Sequence, residues 1–220
     1  NTATVAWTSL PGDVIDPQSP YNPLSYERFF NPGSDVDIYG AMDTVNVDYP
    51  SNLVLPETGF APGILTALGP MDVRYAALGS VWVEIPDLAV QVPIVGVPLE
   101  KNGWDVQWLK EQAGWLQGTA FPGFSGNSVV TAHVYDADGS VGPFVDLHTL
   151  GYGDRIVVHA YGVAYTYEVR TVQRLRPTDM TPLRHENKSW LTLITCQGFN
   201  ETTNSYNNRV VVRAVLISTR

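Results

Sequence analysis

The sequence predicts an all-β domain, an antiparallel barrel or sandwich. Three observations carry this expectation. From Val73 onward, short β-branched runs recur: "VRYAALGSVWVEIP", "LAVQVPIVGVP", "NSVVTAHVY", "DRIVVHAYG", "VAYTYEVRTVQRL", "SWLTLITC" and "RVVVRAVLIS". They alternate with period 2 or are apolar throughout, as half-buried and fully buried strands are. Pro and Gly punctuate them, Gly162 falling where a tight turn joins two runs. Only "WDVQWLKEQAGWLQG", 104–118, has helical propensity, and Gly118 ends it, so one short helix is expected. Seven or eight strands with one helix fit a barrel or sandwich.

The first two runs read as strands, the second bent or at an edge because Pro93 has no backbone donor. Residues 1–70 differ. They are rich in Pro, Gly, Ser, Asn and Asp, and no period persists, so this segment is expected to be irregular. Its Trp7, Tyr21, Tyr26, Phe29 and Phe30 point to packing on something, since a freely disordered tail carries fewer aromatics. The expected division is therefore an irregular segment over 1–70 and a β-domain over 71–220, the latter long enough to bury a core of its own.

Composition excludes several function classes. The 220 residues carry a formal net charge of −9. A nucleic-acid binder needs a basic face to neutralise phosphates, and a membrane-surface module needs one for anionic lipid. No apolar run of about 18 residues is present to span a bilayer. Asn1 is not a natural start, so an upstream targeting or anchor segment is expected. A single cysteine allows no internal disulfide and no cysteine metal cluster, and no cofactor is expected. "DADG", 136–139, lacks the remaining oxygen ligands of a calcium loop and reads as a turn.

That cysteine, Cys196, closes an apolar run and precedes the polar stretch "QGFNETTNSYNN". A thiol at the mouth of a strand beside a polar loop is placed to meet a substrate. Arg209 opens the next strand, so a hairpin brings its side chain towards the thiol. His133 ends "SVVTAH" before the turn-rich "DADGSVGP". A cation near a thiol raises its thiolate fraction, an imidazole can protonate an amine leaving group, and a guanidinium can bind a developing oxyanion. Each residue also has a plain structural reading: a buried apolar thiol, a hydrogen-bonded histidine, a solvated arginine. His148, His159 and His185 share His133's reading, and spacing does not choose among the four.

Over residues 80–218 the chain resembles a sortase, a cysteine transpeptidase of cell surfaces. "VEIPDLAVQVPIVGVP" is similar to the opening strands of sortases. "AGWLQGTAFPGFSGNSVVTAHVY" resembles their helix, glycine-bearing loop and histidine strand. "GPFVDLHTLGYGDRIVV" resembles their Phe-x-x-Leu-x-x-Leu-x-x-Gly-Asp stretch, and "LTLITCQGFNETTNSYNNRVVVRAVLI" matches their Thr-Leu-x-Thr-Cys signature with its following arginine. The resemblance implies a closed eight-stranded β-barrel with short helices. It implies Cys196 as nucleophile, His133 as acid/base and Arg209 as the assisting cation. It selects His133 from the four histidines, gives Thr195 a place at the oxyanion or substrate backbone, and puts Ala132 where many relatives have glycine. It implies that a Leu-Pro-x-Thr-Gly motif is cut between Thr and Gly through a thioacyl-enzyme and passed to an amine of a cell-wall precursor or a pilin lysine. Residues 176–190, "RPTDMTPLRHENKSW", are expected to help bind the motif. The expected partners are LPxTG-bearing surface proteins and an amine acceptor. The expected setting is the outer face of the cell membrane or the cell wall, with a monomeric enzyme tethered only by an anchor outside this sequence.

Two other classes are open to this sequence: an L,D-transpeptidase, which would carry a His-Gly-Cys-like environment without the following arginine, and a non-catalytic surface domain binding glycan with its six tryptophans. Within the N-terminal segment stands "NLVLPETGFAPG", 52–63. Leu55, Pro56, Glu57, Thr58 and Gly59 spell the motif that the resemblance names as substrate. The apolar stretch after it is too short to span a bilayer, so it is not an ordinary sorting signal. It is either a structural Pro turn or a mimic of the substrate held in cis, with 1–70 as an inhibitory lid.

Overall fold

The computed structural model describes residues 2–11, 36–44, 53–71 and 73–220. The chain divides into two compact units, Asn1–Asp48 and Tyr49–Arg220. In the first, β1 (Thr2–Pro11) and β2 (Val36–Thr44) pair antiparallel, Ala6 opposite Gly40, with an irregularity between Thr8 and Pro11. These strands lie where no periodicity was legible, so the expectation of an irregular segment does not hold for them. The remaining calls on residues 12–35 and 45–52 lie outside the described residues. The contact boundary at 48 also differs from the expected one at 70. Residues 53–71 pack within the second unit through apolar side chains such as Leu55, which is fully buried.

The second unit is a closed barrel of eight strands: β3 (Ala76–Ile85), β4 (Val90–Val97), β5 (Ala113–Leu116), β6 (Gly126–Thr131), β7 (Arg155–Ala160), β8 (Val163–Leu175), β9 (Ser189–Asn200) and β10 (Ser205–Thr219). Around the wall they run β10-β8-β7-β3-β4-β5-β6-β9, and β9 closes onto β10. Most neighbours are antiparallel, but β4 with β5 and β6 with β9 are parallel, so the barrel is mixed rather than antiparallel throughout as the sequence led one to expect. Pro93 lies opposite Trp82 of β3, one residue before the pairing of β4 with β5 begins at Ile94. Its missing donor therefore breaks no ladder there. Val83, Ile94, Val130, Leu193, Tyr167 and Val212 belong to the barrel's interior cluster.

The helix expected over 104–118 does not form. That stretch runs through turns into β5. Lys110 takes a left-handed φ of 53°, which no helix interior tolerates. The indole of Trp104 donates to Gln117 O at 2.9 Å and that of Trp115 to Ala120 O at 2.9 Å. Gly114 lies so close to Val97 and Leu109 that an added Cβ would fall 2.6 Å from Val97 Cγ2. Pairing with β4 and these tertiary bonds outweigh a propensity worth tenths of a kcal/mol per residue. Among the described residues, the helical elements of the barrel unit are three single 3-10 turns, Pro86–Leu88, Leu147–Thr149 and Thr181–Leu183.

Candidate active site

Strand register assembles the site. β9 lies between β6 and β10. In the parallel ladder Thr131 lies beside Ile194, so two further residues on each strand set His133 level with Cys196. In the antiparallel ladder Arg209 lies directly opposite Cys196. Residues in register point to the same face. Leu191 and Leu193 join the interior cluster, whereas Ile194 joins a second cluster with Val129 and Val211. Cys196, two residues after Ile194, shares this outer face. His133 lies two residues beyond the end of β6, and β9 continues past Cys196 to Asn200 before a turn over 201–204. The thiol is thus held within a strand, not at the entry to a long loop as the sequence suggested.

Two hydroxyls stitch this wall. Thr131 Oγ1 donates to Ile194 O at 2.7 Å, and Thr195 Oγ1 donates to Ala132 O at 2.9 Å. Thr195 therefore ties the cysteine strand to the residue before His133, and Ala132 is fully buried in the interior cluster. His133 is also fully buried. Its Nε2 donates to Val106 O at 2.8 Å, Nδ1 lies 3.4 Å from Tyr135 O and 3.9 Å from Asp136 Oδ1. Among the described residues, neither ring nitrogen bonds the thiol.

Residues 55–60 lie along this face, with backbone bonds at Leu55, Pro56, Thr58 and Phe60. Leu55 N donates to Pro177 O at 2.8 Å, and its side chain enters the cluster of Val97, Val106, Val129, Leu183 and Ile194. Pro56 O accepts from Arg209 Nε at 2.7 Å. Glu57 Oε1 accepts from Tyr206 N at 3.3 Å. Thr58 is fully buried. Its N–H points at Cys196 Sγ, 3.1 Å away, its hydroxyl lies 3.8 Å from the same sulfur, and its carbonyl accepts from Val134 N at 2.9 Å. Phe60 N donates to Tyr135 O, Phe60 O accepts from Tyr206 Oη at 2.8 Å, and the Phe60 ring stacks on His133 with centroids 5.2 Å apart. The chain then turns at Pro62-Gly63, and Gly63 N and Thr66 N donate to Gly139 O and Ala137 O of the "DADG" turn. Among the described residues no group of three acidic, histidine or cysteine side chains is placed to hold a metal.

Burial dominates the electrostatics. Desolvation pushes the Cys196 thiol up from near 9 to about 11, against the opposing pull of the Arg209 guanidinium and the Thr58 hydrogen bonds. The sequence argument assumed that the nearby cation would decide, but a thiol walled in by Thr58 has lost the water that would solvate its charge. Arg209 also differs from expectation. Nη1 donates to Tyr206 O and Asn208 O, and Nε goes to Pro56 rather than to the carbonyl of Thr58. The donor on Thr58 O is the backbone N–H of Val134, a group that leaves no mark in a sequence beyond its place after His133. Tyr206 and Val106 were likewise missed. They act through a phenol, a backbone N–H and a carbonyl in contexts without a motif. Pro177 and Leu183 fall within the 176–190 stretch singled out for motif contact.

A sortase domain model matches residues 83–217. The chain belongs to the sortase family. Solved structures similar to it include a lid mutant of sortase A from Corynebacterium diphtheriae, at 28% identity over 68% of this chain and 74% of that one, with a TM-score of 0.54. Sortase C-1 from Actinomyces oris matches at 27% identity over 67% and 77%, TM-score 0.52. Sortase C from Clostridium perfringens, solved with its C-terminal cell wall sorting motif, matches at 26% over 67% and 75%, TM-score 0.53. No curated protein matches the chain. The mixed eight-stranded barrel is the fold that the sortase resemblance implied, with 3-10 turns in place of helices. In this sortase no helix among the described residues is long and apolar enough to cross a membrane.

Proposed function

We propose that this sortase cleaves an LPxTG-type motif between Thr and Gly, and that its own Leu55–Gly59 holds the groove in an uncut, inhibitory pose. The observation that carries the reading is the seating of Thr58, with its N–H 3.1 Å from Cys196 Sγ and its carbonyl on Val134 N. In the reaction proposed, the Cys196 thiolate attacks the threonine carbonyl and a C–S bond forms. The C–N bond to glycine breaks, and His133 protonates the departing amine. An acceptor amine then attacks the thioester, forming a new amide and returning the proton to the histidine–thiol pair. Arg209 orients the motif through the carbonyl before Glu57, and the Val134 N–H supports the oxyanion. LPxTG-bearing surface proteins and an amine acceptor at the cell envelope are the partners this chemistry needs.

Three features support inhibition over self-cleavage. The His133 Nε2 proton is engaged by Val106 O, the Phe60 ring covers the imidazole, and the thiol is held protonated at neutral pH by burial. The test compares the full chain with Pro56→Ala/Thr58→Ala and Cys196→Ala on a fluorogenic LPETG peptide at subsaturating concentration. The double variant should cleave at least tenfold faster than the full chain, and Cys196→Ala should not cleave at all. Turnover by Cys196→Ala sinks the nucleophile, and equal rates in the first pair sink the inhibition. Intact mass decides the remaining alternative: a cut after Thr58, or a thioacyl adduct, means self-processing.

A further inference from the structure

The carbonyl that holds His133 is itself held by a side chain outside the groove. Val106 O accepts from His133 Nε2 at 2.8 Å, and Val106 belongs to a stretch, 105–108, built around one phenol. Tyr75 Oη donates to Asp105 O at 3.0 Å and accepts from Trp108 N at 3.1 Å. Those two backbone groups stand three residues apart, the separation at which a β-turn closes with a direct carbonyl–amide bond. Here the hydroxyl stands between them, with Val106 inside the bracket. Tyr75 immediately precedes β3, whose first residue, Ala76, is laddered to Gly96, and its ring packs on the cluster that contains Val106 and Leu109. The phenol is therefore mounted on the barrel wall. Burial pushes it from 10 up to about 12, so the hydroxyl keeps the proton it donates throughout the neutral range. Val106 O also accepts from Leu109 N at 3.3 Å, and Asp105 Oδ1 from Gln107 N at 3.0 Å. Both of these bonds are internal to residues 105–109 and set their curvature, whereas Tyr75 bonds the stretch to the wall.

Resting on the function proposed above, we infer that Tyr75 is a positioning residue for His133, acting through the 105–108 turn to keep Val106 O on Nε2. The hydrogen bond made by one ring nitrogen decides which nitrogen carries the proton. With Nε2–H committed to Val106, Nδ1 is the nitrogen left to take the thiol's proton as the C–S bond forms, and to give it to the glycine amine as the C–N bond breaks. Loss of the Tyr75 hydroxyl leaves Asp105 O and Trp108 N to close on each other or to stand unpaired in a half-buried site. Either outcome moves Val106 O and frees the imidazole to rotate and to change tautomer. Among the described residues Tyr75 bonds neither the thiol nor residues 55–60, so it acts on the reaction only through the ring it holds.

The test separates the ring from the reaction. In the full chain labelled with nitrogen-15, the His133 Nε2–H, identified by its loss in His133→Asn, should exchange slowly with water. Tyr75→Phe keeps the packing of the ring and removes only the hydroxyl, and it should speed that exchange at least tenfold. The Trp115 indole N–H, bonded to Ala120 O, should keep its rate, which a general loosening of the fold would not allow. In the full chain carrying Pro56→Ala/Thr58→Ala, adding Tyr75→Phe should lower kcat on an LPETG peptide about tenfold, a fraction of what a positioned acid/base contributes, with KM held within about twofold. Unchanged exchange in Tyr75→Phe overturns the inference. So does faster exchange with an unchanged kcat, or a loss carried by KM alone. His133 and Trp115 protons that accelerate together also overturn it, since Tyr75 then supports the fold and not the imidazole. If exchange responds as stated but the Pro56→Ala/Thr58→Ala chain cleaves nothing, the proposed reaction fails and Tyr75 stands as the residue that holds the imidazole. If LPETG is cleaved and exchange does not respond, the inference alone fails.

Discussion

Arg209 meets the chain at Pro56, two residues ahead of the bond proposed to break. Its Nε bonds Pro56 O while Nη1 is occupied by two carbonyls of its own strand region. A planar fork can satisfy these directions together, and a lysine ammonium on a flexible stem cannot. Arg209→Lys should therefore lower turnover of LPETG at least tenfold, mostly through KM, while the thiol remains reactive to alkylation; near-normal turnover would remove the arginine from motif recognition. Cys196 gives a pH prediction. Burial in this conformation raises its proton affinity from near 9 to about 11, and the Thr58 cover supplies part of that burial. The closed form holds the proton more tightly, so this contribution to closure is complete below pH 9 and declines as pH rises towards 11. Proteolysis between Phe60 and Met71 in the full chain should accelerate between pH 9 and 10.5 beyond the change seen in Cys196→Ala; equal acceleration in both proteins counts against the thiol as the cause.

At the scale of elements, the parallel pair β6–β9 and the antiparallel pair β9–β10 converge on Cys196. Thr195 fastens the first pair where the ladder itself has ended, through its hydroxyl on Ala132 O. Thr195→Val keeps the shape and leaves that buried carbonyl without its donor, a change worth about 1–3 kcal/mol. The expected outcome is a Tm several degrees lower together with a shifted pH profile of turnover, since the segment that positions His133 loosens; an unaltered pH profile would make the bond purely structural. Leu55 is the apolar anchor of the 53–60 segment, with no exposed surface. Leu55→Ala should weaken seating by about 2–5 kcal/mol and expose the thiol to alkylation. Labelling at the wild-type rate would mean that the backbone bonds suffice to hold the segment.

For the whole molecule, the division between Asp48 and Tyr49 predicts where the chain can be cut without opening the groove. A protein beginning at Tyr49 should keep the Tm of the barrel unit and still shield Cys196, because every bond described for Leu55–Thr66 falls within residues 49–220. A protein beginning at Gly69 loses those bonds and leaves the cluster around Val106 and Leu109 exposed, so it should alkylate far faster. If the chain from Tyr49 labels as fast as the chain from Gly69, the first unit is needed to hold the motif in place.

How much was legible divides along a physical line. Period-2 runs of β-branched residues determined that 73–220 would be a β-fold, since alternation maps directly onto the two faces of a strand. The run "TLITC", the histidine after "SVVTA" and the arginine opening "RVVV" determined which side chains to watch. Tertiary structure decided the rest. The helix over 104–118 was lost to pairing with β4, an energy absent from local propensity. The mixed direction of the barrel depends on which strands meet, and no single strand records its neighbours. Leu55–Gly59 could be read as a motif, but its position over Cys196 depends on a bond network 76 to 153 residues away along the chain, from Val134 on Thr58 to Arg209 on Pro56. The thiol's high proton affinity came from the same source: Arg209 could be found in the sequence, whereas the loss of water around Cys196 exists only once the fold has closed over it.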